Sequence, residues 1–375
     1  MKIAIMTQPL GQNYGGIMQA WALQQVLKKM GHDPVTIDRQ TAPHSALYRL
    51  AQQSYRFALN LCGKRNAPIN LERRFDVIYE NTNRFVHNNI RMSDRIINTK
   101  ALKKHFSENS YNAVIVGSDQ TWRPRYSPNI YNFFLDFIEN ETVKRVAYAT
   151  SFGVSSWEFS EEETKICSKL AKLFDAIAVR EDTGVDLCKG YLGVQAVHVL
   201  DPTLLVSKED YISLIGEKGL KDECSGIYTY FLDKNPEKKK LSERFSKHLG
   251  EPVFDCQARL NVKSYLSKDI DDYVMPDVES WLSGFAKAKF VLTDSFHGIV
   301  FSIIFGKPFA VIDNKKRGSA RFDSILKILG MNDRIIDNVE VDCDAFLKLD
   351  IESDVKDRLL LLQKDSRTFL SNALN

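Results

Sequence analysis

The sequence has little excess charge of either sign and no long hydrophobic run. Its 375 residues contain 51 Lys and Arg against 48 Asp and Glu, which leaves a net charge of +3. Nucleic-acid binders usually concentrate basic residues on one face, so this balance argues against a nucleic-acid partner. The apolar segment GIVFSIIF at 298–305 is too short to cross a bilayer, and we therefore expect no transmembrane segment.

Cysteine pairs and histidine clusters with metal-ligand spacing are also absent. The six cysteines are scattered along the chain and include no Cys-x-x-Cys pair: Cys62, Cys167, Cys188, Cys224, Cys256 and Cys343. This pattern is typical of reduced thiols in a cytoplasmic protein, and it predicts no metal site. The N-terminal MKIAIMTQPLG has too short an apolar run for a secretory signal, and a first strand explains it. We expect a cytoplasmic protein, with contact at the inner face of the membrane left open.

Strands and helices alternate along the chain, without an internal repeat or a low-complexity tract. A chain of 375 residues exceeds the roughly 250–300 residues that one core usually holds, so two lobes are expected. The alternation predicts an α/β fold in which two Rossmann-like lobes face a cleft. We place the lobes at 1–205 and 206–352. A closing helix is expected over about 353–373, with residues 353–375 crossing back to the first lobe.

The segment 290–313, FVLTDSFHGIVFSIIFGKPFAVID, predicts a strand, a polar turn, a buried helix and a second strand. Gly306 and the proline after it end the helix. In a parallel sheet such a turn lies at the edge where ligands bind, and the following helix favours an anion there. Ser295, His297 and Gly298 lie in this turn. His297 is a candidate general acid because imidazole titrates near neutrality, and a core histidine is the alternative.

A glycine-rich turn in GQNYGGIMQAWALQ joins the first predicted strand to a helix. Small residues at such a junction allow a ligand to approach the backbone closely. The candidate ligand contacts are Asn13, Tyr14, Gly15 and Gly16. A tight turn whose glycines only supply unusual backbone angles is the alternative.

A second polar turn, GSDQTWRPRY, follows the buried strand NAVIVG. Asp119 and Gln120 are suited to sugar hydroxyls, and the indole of Trp122 is suited to the apolar face of a sugar ring. The alternative is that Asp119 caps the next element and that Trp122 belongs to the core.

Two groups of cations are candidates for binding an anionic ligand. Arg180 follows the strand DAIAV, although a salt bridge with Glu181 or Asp182 would be a structural explanation. The segment NKKRGSARFDSIL places four further cations at a loop-to-helix start: Lys315, Lys316, Arg317 and Arg321. Such a run is also typical of a solvated face.

Five segments in this order resemble the polysaccharide pyruvyl transferase family: NYGGIMQAWALQ, GSDQTW, AVREDTG, LDPTLL and TDSFHGIVFSIIFGKPFAVI. The resemblance covers nearly the whole chain. It implies a fold like the two-lobed type B glycosyltransferases. It also implies transfer of pyruvyl from phosphoenolpyruvate to saccharide hydroxyls as a ketal, with release of phosphate, in cell-surface polysaccharide biosynthesis. No cofactor beyond the co-substrate phosphoenolpyruvate is implied, and the acceptor is free, nucleotide-linked or lipid-linked.

The resemblance also suggests roles for the candidate residues. His297 matches the donor-site histidine of the family's turn, and Arg180 falls in the segment that resembles the family's arginine-bearing strand end. The donor is then expected on the second lobe, near Ser295, Gly298, Lys316, Arg317 and Arg321. The acceptor is expected on the first lobe, with Asp119 as base and with Asn13, Tyr14, Gly15, Gly16, Gln120 and Trp122 around it.

One position departs from the family's pattern. Many members carry an arginine two residues before the turn histidine, whereas this chain has Ser295 there. Either Arg180 and the 315–321 cluster supply the missing charge, or the donor differs. Two other functions stay open, namely a nucleotide-sugar glycosyltransferase of the same fold and a non-catalytic saccharide-binding protein.

The segment 41–110 carries arginines and aromatic residues at helical spacing. This pattern favours a helix that packs on its apolar side and leaves its basic side chains in solvent. Peripheral contact with a membrane that carries a lipid-linked saccharide is the alternative.

Overall fold

The chain forms two parallel β-sheets, and each is the centre of one α/β lobe. The strands are β1 (Lys2–Met6), β2 (Asp33–Thr36), β3 (Ala113–Val116), β4 (Lys144–Thr150), β5 (Ala176–Val179), β6 (Val197–His198), β7 (Gly226–Tyr230), β8 (Val253–Phe254), β9 (Ala288–Thr293), β10 (Phe309–Ile312) and β11 (Ile335–Ile336). The first sheet has the order β2-β1-β3-β4-β5-β6 and the second has the order β11-β10-β9-β7-β8. The predicted fold class is confirmed.

This computed structural model describes residues 1–221, 225–262, 267–313, 320–336, 341–347, 351 and 353–375, without the side chains of residues 218, 320 and 321. The α-helices within these ranges are α1 (Tyr14–Lys29), α2 (Ala46–Leu61), α3 (Phe75–Ile78), α4 (Glu80–Asn89), α5 (Thr99–Glu108), α6 (Glu161–Ala171), α7 (Asp182–Leu187), α8 (Lys208–Lys221), α9 (Pro236–Leu249), α10 (Val278–Lys287), α11 (Phe296–Phe305), α12 (Ala320–Leu329), α13 (Cys343–Leu347) and α14 (Ser353–Leu374). None of them combines the length and the apolar composition that a bilayer span requires.

Local sequence explains the two helices that matter most for the site. The N-cap of α1 is Asn13, whose Oδ1 accepts a hydrogen bond from the Gly15 N–H at 2.9 Å. Helix α11 ends at Gly306, which has a left-handed φ of +66° that glycine adopts without strain. The Pro308 that follows cannot continue a helix. Capping residues in the local sequence therefore set the start of α1 and the end of α11.

Both faces of the first sheet are buried, as the alternation of side chains along β1 shows. Ile3 and Ile5 enter a core that includes α1 and α11, whereas Ala4 and Met6 enter a separate core on the other face. The first of these cores is continuous between the lobes, because side chains of α10 and β9 also belong to it. The lobes are thus joined by apolar packing as well as by the chain.

The C-terminal helix α14 returns to the first lobe. Ser366 Oγ accepts a hydrogen bond from the Leu200 N–H at 3.0 Å, and Gln363 Nε2 donates to the Leu204 carbonyl at 2.5 Å. The ring of Phe369 lies 6.2 Å from that of Tyr148 on β4. Helix α14 therefore covers part of the lobe that comes first in the sequence.

Helix α2 has the opposite orientation to the one favoured by its sequence pattern. None of its residues is buried, and all of its large apolar side chains except the half-buried Leu59 are exposed. The side turned toward the protein is polar, since Arg56 pairs with Glu72 and Asn60 Nδ2 donates to the Ala67 carbonyl at 2.9 Å. The expectation that this helix packs on its apolar side is wrong, because local polar contacts hold its other side.

Candidate active site

The two lobes meet where α1 and α11 begin. His297 is the second residue of α11 and is 5% exposed. A Cβ atom at Gly15, on α1 of the opposite lobe, would lie 2.0 Å from His297 Nδ1, so the glycine makes room for the imidazole. Each helix follows a strand at the carboxyl edge of its sheet. The imidazole therefore lies between the two edges where ligands bind in this kind of fold.

A buried arginine joins two carboxylates of the first lobe next to this imidazole. Arg180 follows β5, and its Nη1 lies 2.7 Å from Asp201 Oδ2 while its Nη2 lies 3.4 Å from Asp119 Oδ1. His297 Nε2 lies 3.9 Å from the same oxygen of Asp201. The partners of Arg180 are thus neither of the two carboxylates suggested by the sequence. We call His297, Asp201, Arg180 and Asp119 the His297 cluster.

Asp201 is the buried anion of the His297 cluster. Its side chain has no exposed surface, and burial works to raise its pKa. The charges of Arg180 and His297, with hydrogen bonds from Thr203 and Arg180, outweigh burial and hold the pKa of Asp201 below its usual value. Burial also works to lower the pKa of Arg180, but the neighbouring carboxylates raise it. Arg180 and Asp201 therefore form a stable ion pair.

Asp119 is the carboxylate of the His297 cluster that reaches solvent, because 14% of its side chain is exposed. Its φ of +75° lies in the left-handed region, which aspartate enters more easily than most residues. Gln19 of α1 fixes this turn by accepting from the Ser118 N–H at 3.0 Å and donating to the Gly16 carbonyl at 2.9 Å. Helix α1 therefore positions the Asp119 turn, and a Cβ at Gly16 would lie 3.5 Å from Asp119 Oδ2.

The start of α11 is held against β9. Ser295 is its N-cap residue and is 4% exposed, and its N–H donates to Thr293 Oγ1 at 3.1 Å. A Cβ at Gly298 would lie 2.0 Å from the same oxygen, so this glycine allows close packing of helix on strand. Asp294 binds Lys238 Nζ at 2.5 Å. Contact of Ser295 and Gly298 with a donor stays a prediction.

Trp122 belongs to the hydrophobic core and not to a sugar site. Its side chain is fully buried, its ring stacks on Phe134 with centroids 4.7 Å apart, and its Nε1 donates to the Phe133 carbonyl at 2.9 Å. The expected contact between this indole and a sugar ring is wrong, because neither face of the indole is open.

Tyr14 and Gln120 are occupied by contacts within the protein. Tyr14 is 2% exposed, its hydroxyl donates to the Pro276 carbonyl at 2.7 Å, and its ring stacks on Trp281 at 5.1 Å. Tyr14 therefore links the two lobes, and its expected contact with an acceptor does not fit this arrangement. Gln120 is half-buried and its Oε1 accepts from Arg123 Nη1 at 3.0 Å. Its contact with an acceptor stays a prediction.

The four predicted loop cations belong to the segment 315–321. Lys315, Lys316 and Arg317 lie outside the described residues, and so does the side chain of Arg321 near the start of α12. Among the described residues, no group of three or more His, Cys, Asp or Glu side chains is arranged to hold a metal ion.

Asp201 and Ser118 are members of the site that the sequence analysis did not select. Ser118 Oγ donates to Asp201 Oδ2 at 3.1 Å, and Asp201 Oδ1 accepts from the Thr203 N–H at 3.0 Å. A signal for Asp201 was present, because LDPTLL places a carboxylate just after β6. The same position at a strand end identified Asp119 and Arg180.

A cavity of about 330 Å³ lies at the carboxyl ends of β1 and β2, next to the segment that leads into α1. Its walls combine polar side chains with aromatic rings, including Gln12, Asp38, Gln40, Phe75, Asp76, Tyr79, Asn83 and Arg95. Amide, carboxylate and hydroxyl groups on an aromatic background suit a small polar ligand. The cavity belongs to the first lobe, on the same edge of the sheet as the Asp119 turn.

The protein has two lobes, and each is built on a parallel sheet. This fold class is the two-lobed type B glycosyltransferase architecture. UDP-N-acetylglucosamine 2-epimerase from Rickettsia bellii is similar at a TM-score of 0.50 and 8% identity, over 100% of this chain and 97% of that one. The Methanocaldococcus jannaschii UDP-GlcNAc 2-epimerase, solved with UDP-GlcNAc and UDP, is similar at a TM-score of 0.50 and 12% identity, over 96% and 93% of the chains. At these identities the likeness establishes the fold alone.

The family is established by sequence. The family model described as polysaccharide pyruvyl transferase matches residues 13–316. This match spans most of the 375 residues, so the chain belongs to the polysaccharide pyruvyl transferase family. No curated protein matches the sequence significantly.

Proposed function

We propose that this protein transfers pyruvyl from phosphoenolpyruvate to hydroxyls of a saccharide, forms a ketal and releases phosphate. The observation that carries the proposal is the position of His297 between the lobes, with its imidazole against Gly15 and its Nε2 3.9 Å from Asp201 Oδ2. The charge of His297 is one of the causes that hold the pKa of Asp201 below its usual value, so the two side chains interact, and imidazole is a common general acid. Membership of the family supports the same donor.

In the proposed reaction, His297 donates a proton to the methylene carbon of phosphoenolpyruvate. The central carbon becomes cationic, and a saccharide oxygen forms a bond to it while the hydroxyl proton passes to Asp119. The bond between this carbon and the phosphate oxygen then breaks, and a second saccharide hydroxyl completes the ketal. One of the two hydroxyl protons replaces the proton that His297 gave to the methylene carbon. The other leaves with phosphate.

The two carboxylates of the His297 cluster differ in exposure, and this difference supports their separate roles. Asp201 is fully buried and paired with Arg180, so it stabilises charge on its neighbours and does not exchange protons with a substrate. Asp119 is partly exposed and bound to Arg180 only at 3.4 Å, which leaves it able to accept a hydroxyl proton. Asp119 is therefore the proposed base, and Asp201 is a positioning residue.

The donor is expected at the start of α11, where the helix dipole favours an anion. Phosphoenolpyruvate carries both a phosphate and a carboxylate, so more than one cation is needed. Arg180 is already shared between two carboxylates, and we therefore expect Lys316, Arg317 and Arg321 to supply part of the charge. The acceptor saccharide is proposed to enter the 330 Å³ cavity of the first lobe, near Asp38 and Asn83.

The test is release of phosphate from phosphoenolpyruvate in the presence of candidate saccharides. We expect His297→Ala to lower turnover about 100-fold to 10,000-fold, the usual contribution of a general acid. His87→Ala is the matched control, because His87 is an exposed histidine at the end of α4. Full activity of His297→Ala would remove this residue from the mechanism. Release of a nucleoside diphosphate from nucleotide sugars, without phosphate release from phosphoenolpyruvate, would favour the glycosyltransferase alternative.

A further inference from the structure

Helix α2 exposes a row of apolar side chains along one face. Leu47, Leu50, Phe57 and Leu61 recur at the spacing of one helical face, and their exposed fractions are 81%, 62%, 53% and 72%. Isolated exposed apolar residues are common, but a row of four on one helix is not. We call these four residues the α2 stripe. Exposure of this apolar surface to water costs free energy. A partner that covered the surface would remove that cost.

The protein holds α2 by the opposite, polar side. The Arg56 guanidinium pairs with both carboxylate oxygens of Glu72, and Arg56 also donates to the Ile69 carbonyl at 3.2 Å. Asn60 donates to the Ala67 carbonyl. These contacts fix the rotation of the helix about its axis, so the α2 stripe is directed away from the protein by specific bonds.

The segment around α2 is strongly basic. Residues 41–75 contain six of the chain's 51 Lys and Arg but only one of its 48 Asp and Glu, so this segment carries +5 while the whole chain carries +3. Arg49 and Lys64 are exposed at the two ends of the helix. An exposed apolar stripe on a helix with basic flanks is the pattern of a helix that lies in the interface of an anionic membrane.

We infer that α2 binds the surface of an anionic lipid bilayer, with the α2 stripe inserted among the lipids and the exposed Arg49 and Lys64 at the headgroups. A second copy of the chain would also cover the stripe. In a twofold contact, however, the same surface meets itself, so two segments of +5 would repel each other. An anionic bilayer can accommodate the apolar side chains in its interior and attract the basic side chains to its surface. It therefore explains both the exposed apolar residues and the positive charge of the segment.

This surface adjoins the proposed acceptor cavity. Glu72, which anchors Arg56 of α2, is also one of the residues that line the cavity, and Phe75 lines it three residues further on. A bilayer in contact with α2 would therefore be close to the opening through which a lipid-linked saccharide enters. The membrane contact itself does not depend on the proposed reaction.

The test is sedimentation of the full chain with vesicles of phosphatidylcholine and phosphatidylglycerol in equal parts, compared with vesicles of phosphatidylcholine alone. The wild-type protein should bind the anionic vesicles, and added salt should weaken the binding. The double variant Leu47→Glu, Leu50→Glu should bind at least about tenfold less, since two exposed leucines no longer enter the lipid. Arg49→Gln should weaken binding about fivefold.

The matched control is Leu360→Glu, Leu361→Glu on α14, because these leucines are 63% and 60% exposed but lie on a helix in which three Asp offset four Lys and Arg. This control should bind like the wild type, and circular dichroism should show that all variants are folded. Wild-type binding that the α2 variant leaves unchanged, or equal binding to both kinds of vesicle, would overturn the inference. So would a wild-type dimer in solution that the α2 variant converts to a monomer, because a second copy would then cover the stripe.

Discussion

The contact between Gly15 and His297 allows the proposed acid to be displaced without changing any catalytic side chain. In Gly15→Ala the added Cβ would lie 2.0 Å from His297 Nδ1 and 2.5 Å from its Cγ, where ordinary contacts begin at 3.4 Å. The imidazole or the lobe that carries it must therefore move by about 1.4 Å. Displacement of a catalytic group by about 1 Å can cost about 100-fold in rate, and we expect a loss of that size.

The expected effect of Gly15→Ala on stability is smaller. Overpacking costs about 1–3 kcal/mol, whereas replacing glycine by alanine inside a helix contributes about 1 kcal/mol of stability. We therefore expect a net loss of about 0–2 kcal/mol in the free energy of unfolding. Urea denaturation measures this value, and phosphate release from phosphoenolpyruvate with a saccharide acceptor measures the rate.

Gly16→Ala is a control one residue further along α1. Its Cβ would lie 3.5 Å from Asp119 Oδ2, which is an ordinary van der Waals contact. This variant should lose much less activity than Gly15→Ala and be as stable as the wild type or slightly more stable. If Gly15→Ala and Gly16→Ala were equally active, the imidazole would not be held against α1 during the reaction, and the role of this contact would be refuted.

Three further predictions concern other parts of the molecule. Asp201→Asn should lower the free energy of unfolding by about 3–5 kcal/mol, because it leaves the buried Arg180 without its main partner, and a loss below about 1 kcal/mol in urea denaturation would contradict the pairing. His198 should make stability depend on pH: burial holds its pKa below the usual value, so its contribution is complete above about pH 6.5 and is lost as pH falls and the unfolded chain binds the proton. The wild type should therefore lose more stability than His198→Gln between about pH 7.5 and about pH 5.5, and equal losses would contradict this reasoning. Trp122→Ala should cost about 3–5 kcal/mol of stability and leave saccharide affinity unchanged, whereas unchanged stability with weaker sugar binding would restore the stacking interpretation.

The parts of the fold that depend on residues close together in the sequence could be predicted. The apolar strand, polar turn and buried helix around His297 are encoded within 290–313, and the glycine that ends the helix lies in the same segment. For the same reason the turns that carry Gly15 and Asp119 could be placed at strand ends. Local patterns therefore indicated which edge of each sheet the candidate residues occupy.

The environments of individual side chains depend on distant residues and could not be predicted in this way. Trp122 is buried because Phe133 and Phe134 fold back over it, and nothing in GSDQTW indicates that packing. The pairing of Arg180 with Asp201 joins two strand ends across 21 residues, whereas the sequence favoured adjacent carboxylates. For α2, the amphipathic pattern shows that the two faces of the helix differ in polarity. It does not show which face contacts the rest of the protein.

The return of α14 to the first lobe has a consequence for synthesis. The contacts of Ser366 with Leu200 and of Gln363 with Leu204 require α14, while the lobe that α14 covers precedes it in the sequence and leaves the ribosome earlier. That lobe therefore stays partly uncovered until α14 has been synthesised. A chain that lacks α14 should therefore expose apolar surface on its N-terminal half and be degraded or aggregate there, far in sequence from the missing helix.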